Sequence, residues 1–335
     1  MELNTITLGK FVQLADVMYE KGKDSVARNA MGSGIFRVID IEANSGESRT
    51  FTEIDAGQFA NFKGEGDQAK RQSVKQGYEK TLTVQRQAED IGITYEMRKF
   101  NKYPEVTNRL TSLGELGPNT MEMDLTHRLT FGTATTLTDR DGRTVTIDCG
   151  DDLALFSTVH KLTGSASTYR SRIANNPQVS KGGVEAAERL FVEQRYNNLG
   201  EKIAIKPDVI WSTDDPNTVN TIREILQATA DIESDNSGTV NVIKGKYRHV
   251  ILPYLATDAN GASDSDKRRY WGLSSTKWTD IWMGIWERPH LKTPAALNAG
   301  EEFSTDDWNF GVRFGYDIGA VTGKSIVMSD GLGTA

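Results

Sequence analysis

The stretch from Asp55 to Lys80, DAGQFANFKGEGDQAKRQSVKQGYEK, is too polar to enter a core and too long for a hairpin turn. Strand-like sequence flanks it, IFRVIDI (Ile35 to Ile41) before and TLTVQRQAEDIGITY (Thr81 to Tyr95) after. Ordering each residue costs about 1–2 kcal/mol of backbone entropy. Its apolar bodies are Phe59, Phe62, Val74 and Tyr78, each worth roughly 1.5–3 kcal/mol if buried. Four such side chains cannot hold the whole stretch in place. It is therefore expected either to be disordered or to lie on something outside its own subunit.

The remaining chain is long enough to bury a sizeable core, in one large or two medium domains. Of 335 residues, 37% are hydrophobic and 31 are glycine, which suits a loop-rich, partly β protein. No apolar run reaches the length of about 18 residues that a spanning helix needs. The start, MELNTITLGK, lacks the basic and apolar blocks of a signal peptide, and Cys149 is the single cysteine. Intracellular assembly without a disulfide is the expectation. A net charge of −7 argues against gripping nucleic acid as the main task, though not against enclosing it.

Periodicity places the elements. Leu8, Phe11, Val12, Ala15, Met18 and Tyr19 predict a short amphipathic helix ending near Gly22. Leu82 and Val84 share one face, and Ile91, Ile93 and Tyr95 another, with a phase slip at 88–90 that predicts a bulge. A helical zone opens at Pro104, and Gly117-Pro118 should break or kink it. Asn119 then offers a new cap with Glu122 three residues on, and Met121, Leu125 and Leu129 form the stripe of the main helix. Thr144 to Cys149 reads as a strand after a turn at DRDGR (139–143). The chain from 152 to 177 reads as irregular. A helix is predicted over 183–196, a strand over 208–211, and a helix capped by Asp215-Pro216 with Val219, Ile222, Leu226 and Ala230 inward. Tyr247 to Leu255 and Arg268 to Leu273 read as two strands joined by an acidic loop. Near the end, Trp308, Phe310, Val312, Phe314, Tyr316 and Ile318 alternate strictly with small or polar residues. No helix fits that pattern, so a long strand is predicted there, able to return to the first region's sheet.

Catalytic constellations are weak. Gly64, Gly66 and Ala69 match a dinucleotide pattern but lack the preceding buried strand, and are better read as arm flexibility. Asp258, Asn260, Asp264 and Asp266 crowd one loop, yet their spacing fails the EF-hand template. His127, His160, His249 and His290 show no metal-ligand spacing. A Cys149/His160 nucleophile pair is conceivable, but a buried structural thiol fits Cys149 better. Neither a nucleophile elbow nor a Walker A loop occurs. No enzyme, metal or cofactor is expected. Lys63, Lys70, Arg71, Lys75 and Lys80 alternate with Glu65, Asp67 and Glu79, as in a solvated loop or a charge-complementary lash on a neighbour.

The order of N-terminal arm, strands around a long polar arm, main helix, mixed region and returning strand resembles the major capsid protein of tailed phages, the Hong Kong 97-type shell fold. Leu155 to His160 (LFSTVH) followed by Asn175-Asn176-Pro177 is similar to a segment of Mu-like head subunits. Trp271-Gly272-Leu273 and WTDIWMGIWERPHL (278–291) resemble their late region. The resemblance implies an α+β fold with an N-terminal arm (1–34), an extended β-loop region (35–97, loop 55–80), a peripheral domain with a long spine helix (98–182 and 290–335) and a mixed α/β axial domain (183–289). It implies self-association into hexamers and pentamers of an icosahedral shell around double-stranded DNA, with Phe59, Phe62, Lys63, Lys70, Arg71, Lys75 and Tyr78 as inter-subunit contacts. Scaffolding, portal and decoration proteins would be further partners; no membrane is involved. The place would be the virion, after assembly in the host cytoplasm. With only about thirty residues before the first strand, a separate scaffold or none is expected. Alternatives are an encapsulin-like nanocompartment shell, another virion protein such as a tail-tube subunit, and a soluble metal-dependent hydrolase using the Asp258–Asp266 loop.

Overall fold

The computed structural model describes residues 5–42, 46–100, 102–230, 240–293 and 307–333. In chain order the helices are α1 (Thr5–Ser25), α2 (Tyr95–Lys99), α3 (Tyr103–Thr130), α4 (Lys181–Glu193) and α5 (Pro216–Gln227). The strands of the first half are β1 (Arg37–Asp40), β2 (Ser48–Ala56), β3 (Val74–Thr83), β4 (Gln85–Ile93), β5 (Thr136–Thr138), β6 (Thr144–Thr146), β7 (His160–Lys161) and β8 (Thr168–Tyr169). Those of the second half are β9 (Val209–Ser212), β10 (Arg248–Ile251), β11 (Trp271–Ser274), β12 (Ile281–Lys292), β13 (Trp308–Ala320) and β14 (Ile326–Ser329).

α1 buries Phe11, Ala15 and Tyr19, the stripe its spacing predicts; Leu8 lies outside the residues whose side chains are described. Gly22 does not end this helix. A Cβ on Gly22 would sit 2.1 Å from the Thr111 carbonyl oxygen, and one on Gly114 would sit 2.2 Å from that of Tyr19. The two glycines let α1 and α3 cross backbone on backbone, and α1 runs on to Ser25. α3 spans 28 residues, about 42 Å at 1.5 Å per residue. It starts at the proline that the sequence marks, but it does not break at Gly117-Pro118. Pro118 lies inside a continuous helix. An interior proline costs about 3 kcal/mol, and packing on both flanks offsets it: Leu113, Met121, Leu125 and Leu129 are buried, and Gly117 abuts the ring of Pro289. Asn119 therefore caps nothing and accepts from the Tyr254 hydroxyl at 3.3 Å. Glu122 instead takes the backbone N–H groups of Ala30 (2.6 Å) and Met31 (3.0 Å), tying the end of the N-terminal segment to the helix.

One four-stranded sheet has the order β1-β12-β13-β4. β1 is parallel to β12, and the other pairs are antiparallel. The six alternating residues of β13, Trp308 to Ile318, are all buried, and Phe11 of α1 meets Trp308 edge-on at 5.2 Å. β13 does return to the first region's sheet, pairing along β4 from Trp308↔Ile93 to Tyr316↔Gln85 without a slip. The phase change expected as a bulge at 88–90 is instead a change of sheet. Leu82 belongs to β3 of a separate hairpin, whereas Ile91 and Ile93 belong to β4.

The second four-stranded sheet has the order β10-β9-β11-β14. Strands 247–255 and 268–273 are not neighbours, because β9 lies between them, parallel to β10 and antiparallel to β11. One face carries Ile210, Leu273 and Val327 against Val184 and Phe191 of α4 and Ile222 and Ile225 of α5. The other presents Val209, Trp211, Ile326 and Met328 to the main core. Both helices are capped as their first residues dictate: Ser180 accepts from Gly183 N–H and Asp215 from Thr218 N–H. Ala230 falls beyond the end of α5 and is exposed. β14, a strand with no clear period in the sequence, closes this sheet. The expected boundary at 289/290 falls inside β12, whose first half completes the β1 sheet. Within the expected 290–335 segment, residues 294–306 and 334–335 lie outside the described residues.

Candidate functional site

The polar arm is a hairpin with two unlike parts. β2 and β3 pair from Ser48↔Thr83 to Ala56↔Val74, with a register shift between Thr52 and Ile54. Gly77 and Tyr78 thus stand opposite Glu53 alone, a β-bulge that bends the ribbon there. Along β2 the inward residues alternate: Phe51, Glu53 and Asp55 are part-buried, while Thr52, Ile54 and Ala56 are exposed.

Below the bulge, the ribbon packs on its own subunit. Phe51 stacks on Trp282 with centroids 4.5 Å apart, Leu82 is buried, and Lys80 is ion-paired with Asp148. Thr83 N–H donates to Asp317 at 2.9 Å. At the bulge, Lys324, from the turn between β13 and β14, meets Glu53 at 2.5 Å and Asp55 at 3.6 Å with its side chain only 6% exposed. Asn198 donates its side-chain amide to Glu53 (2.7 Å) and Asp55 (2.9 Å), and its backbone N–H to Asp55 (2.7 Å). Asp280 lies beside this group and accepts from the Thr322 hydroxyl at 3.0 Å. Burial pushes its carboxyl up to about 6; the Thr322 bond counters this and the negative charge of Glu53 adds to it. Beyond the bulge, Thr163 donates to the Gln76 carbonyl (3.1 Å) and Glu201 accepts from Gln58 N–H (2.8 Å).

From Phe59 to Arg71 no hydrogen bond or ion pair to the rest of the subunit occurs among the described residues. Residues 59–73 form no strand, and all but Gly64 are exposed. Phe59 is 71% and Phe62 93% exposed. Local order consists of a turn at 64–67, where Gly66 takes a positive φ of 83°, and a tie at the base, where Gly57 N–H donates to the Ser73 carbonyl (2.9 Å) and the Gln72 side-chain amide to the Gly57 carbonyl (2.6 Å). Among the described residues no ion pair holds Lys63, Lys70 or Arg71. The expectation of an arm with no seat on its own subunit therefore fails for its root and fits its tip. Of the seven candidate contacts, Phe59, Phe62, Lys63, Lys70 and Arg71 gather on the tip. Lys75 is exposed, with its stem against Gly164, and Tyr78 is half-buried against Gly150 of the same chain.

The other candidates have structural surroundings. His160 is fully buried, with Nδ1 2.7 Å from Asp151 Oδ2, Nε2 3.3 Å from the Leu155 carbonyl, and its ring stacked on Tyr169. Both ring nitrogens thus face groups other than Cys149, whose thiol burial pushes well up. His127 Nε2 lies 2.9 Å from the Thr257 hydroxyl and His249 Nε2 2.9 Å from that of Ser212. Burial lowers each imidazole to about 4, so both are neutral at pH 7. In the acidic loop, Asp258 Oδ1 accepts from the Asn260 and Ala262 N–H groups, and Asp264 from Asp266 N–H. Lys267 pairs with Asp264 at 3.1 Å. These carboxylates accept from the N–H groups of their own turns. Among the described residues no helix is long and apolar enough to cross a membrane.

No family model matches the chain, and no curated protein matches it. Solved structures do. The virus-like particle from Pyrococcus furiosus is 11% identical with a TM-score of 0.47, over 96% of this chain and 99% of that one. The capsid of Myoviridae phage XM1 is 12% identical, with a TM-score of 0.46, over 91% and 92%. The mature capsid of bacteriophage PhiM1 is 11% identical, with a TM-score of 0.49, over 88% and 85%.

Proposed function

We propose that this chain is a structural shell subunit, the major capsid protein of a tailed phage, and that copies of it close an icosahedral head around double-stranded DNA. The observation that carries the reading is the arm: a ribbon fixed at its root by buried charges, ending in a tip that exposes two phenylalanines and three cations. Exposed aromatic rings on an otherwise polar loop are what an interface anchor requires before its partner arrives. The partner is a second copy of the chain, since an arm of this kind repeated around a ring gives heterologous contacts that close when the rotation allows. The acidic balance of the whole chain, −7, suits a wall that encloses DNA without holding it. Hexamers and pentamers, a scaffolding protein, a portal and decoration proteins, and assembly in the host cytoplasm before residence in the virion all belong to the same reading.

Negative-stain electron microscopy of the expressed chain across a concentration series tests this, with deletion of Gly64 to Lys75 as the comparison. Closed shells or capsomer rings from the intact chain, and folded unassembled protein from the deletion, are the expected results. Normal particles from the deletion variant would remove the arm from the account. An intact chain that stays monomeric, alone and with the proteins encoded beside it, would overturn the capsid reading.

A further inference from the structure

We propose that Lys324 is the positioning residue of the arm: with Asn198 it clamps Glu53 and Asp55 at the β2–β3 bulge and so sets the direction in which the tip leaves the subunit. Four observations converge on this point. The two carboxylates are the inward residues of β2 at the place where the ribbon changes register. The ammonium they share comes from the far end of the chain and is nearly inaccessible to solvent. Asn198 adds three hydrogen bonds to the same two carboxylates. Gly77 of the bulge is shaped for them, since a Cβ there would lie 2.3 Å from Glu53 Oε2 and 2.4 Å from Asn198 Nδ2.

A two-stranded ribbon standing alone is marginal in water, so its direction needs a contact beyond its own ladder. The apolar contacts nearer the body, Phe51 on Trp282 and buried Leu82, lie before the bend and cannot fix the ribbon beyond it. The clamp sits on the bend and is buried, whereas the two bonds beyond it, Thr163 to the Gln76 carbonyl and Gln58 N–H to Glu201, are open to solvent. A buried charge cluster also has a sharper optimum than an apolar contact, because moving one member leaves another unpaired. The arm is thereby held in one pose before any neighbour is met. The clamp itself is a property of the single subunit; its consequence for particle geometry rests on the capsid reading.

Hydrogen–deuterium exchange of the unassembled full chain tests the clamp, with Lys324→Met, Gly77→Ala and the triple variant Lys324→Met/Glu53→Gln/Asp55→Gln. In the first two, peptides covering 48–56 and 74–83 should exchange about tenfold faster or more, while those covering 281–292 and 308–320 stay within about twofold of wild type. Gly77→Ala acts from the arm side and leaves Lys324 intact, so the test survives if Lys324→Met fails to fold. The triple variant removes the stranded charges and should return the ribbon's protection toward wild type, which a general loss of packing would not do. Unchanged ribbon exchange, or exchange raised equally through the body, would overturn the proposal. Electron microscopy of the same variants reads the consequence: fewer closed particles, of broader diameter, are expected wherever wild type closes shells. If wild type closes none, the capsid reading fails, while the exchange result on the clamp stands.

Discussion

The root and the tip of the arm are parts of one hairpin with opposite physics. At the root, polar groups are taken out of water and meet partners from the far end of the sequence. At the tip, apolar groups are left in water with no partner among the described residues. A buried ion cluster contributes little net stability but makes one geometry much better than its neighbours. An exposed ring contributes nothing until it is covered. In the proposed shell, the first arrangement would specify direction and the second would supply the drive for association.

The comparison breaks first at Lys324. Replacing it by Met leaves two carboxylates without their cation and should cost about 3–5 kcal/mol, the usual penalty for removing one partner of a buried pair. Denaturant unfolding of the unassembled chain measures it. The triple neutral variant should recover most of the loss, and a Lys324→Met change under about 1 kcal/mol would mean the root is as loose as the tip.

Asp280 sharpens the contrast through pH. Its folded pKa of about 6 lies above the unfolded value of about 3.9, so the folded state holds the proton longer. Its stabilising contribution is complete below the unfolded value and is lost as pH rises through about 6. A difference of about two units corresponds to roughly 3 kcal/mol. Asp280→Asn should therefore raise stability by up to about that amount at pH 8 and by almost nothing at pH 4. Urea titrations at the two pH values check the sign; equal effects at both would exclude Asp280 as the source.

The smallest effect on folding belongs to the tip. Phe62→Ser, and separately Phe59→Ser, should leave unfolding within about 0.5 kcal/mol of wild type. Sedimentation should show assembly shifted to higher protein concentration. A destabilised monomer would show that these rings touch the body after all.

How legible each element is in the sequence depends on how it is solvated. β13 has one face on the main core, so its alternation is plain. β9, β11 and β14 are covered on both faces and carry no such period; β14 escapes sequence reading altogether. Pro118 misleads because the packing that keeps α3 continuous comes from α1 and β12, distant in sequence. The tip is legible as a segment with no core, and the root is not. Phe51, Glu53 and Asp55 keep a period of two, but the inward face turns from apolar to acidic midway, which a hydrophobic pattern cannot report. The alternation of TFTEID over residues 50–55 was the available signal. Nothing local points to Lys324 or Asn198 as its answer.

The topology also puts a clock on the arm. β1 pairs with β12, Arg37 against Trp282, and Glu53 waits for a lysine 271 residues further on. At about 5–20 residues per second of synthesis, that interval is roughly 14–54 s. The ribbon can close as a local hairpin within microseconds of emerging, and Thr163, Asn198 and Glu201 can meet it once they are made, yet the lysine that completes its root follows only after that whole interval. The arm is formed early and its clamp is completed late, so an unfinished subunit carries two root carboxylates that still lack their cation.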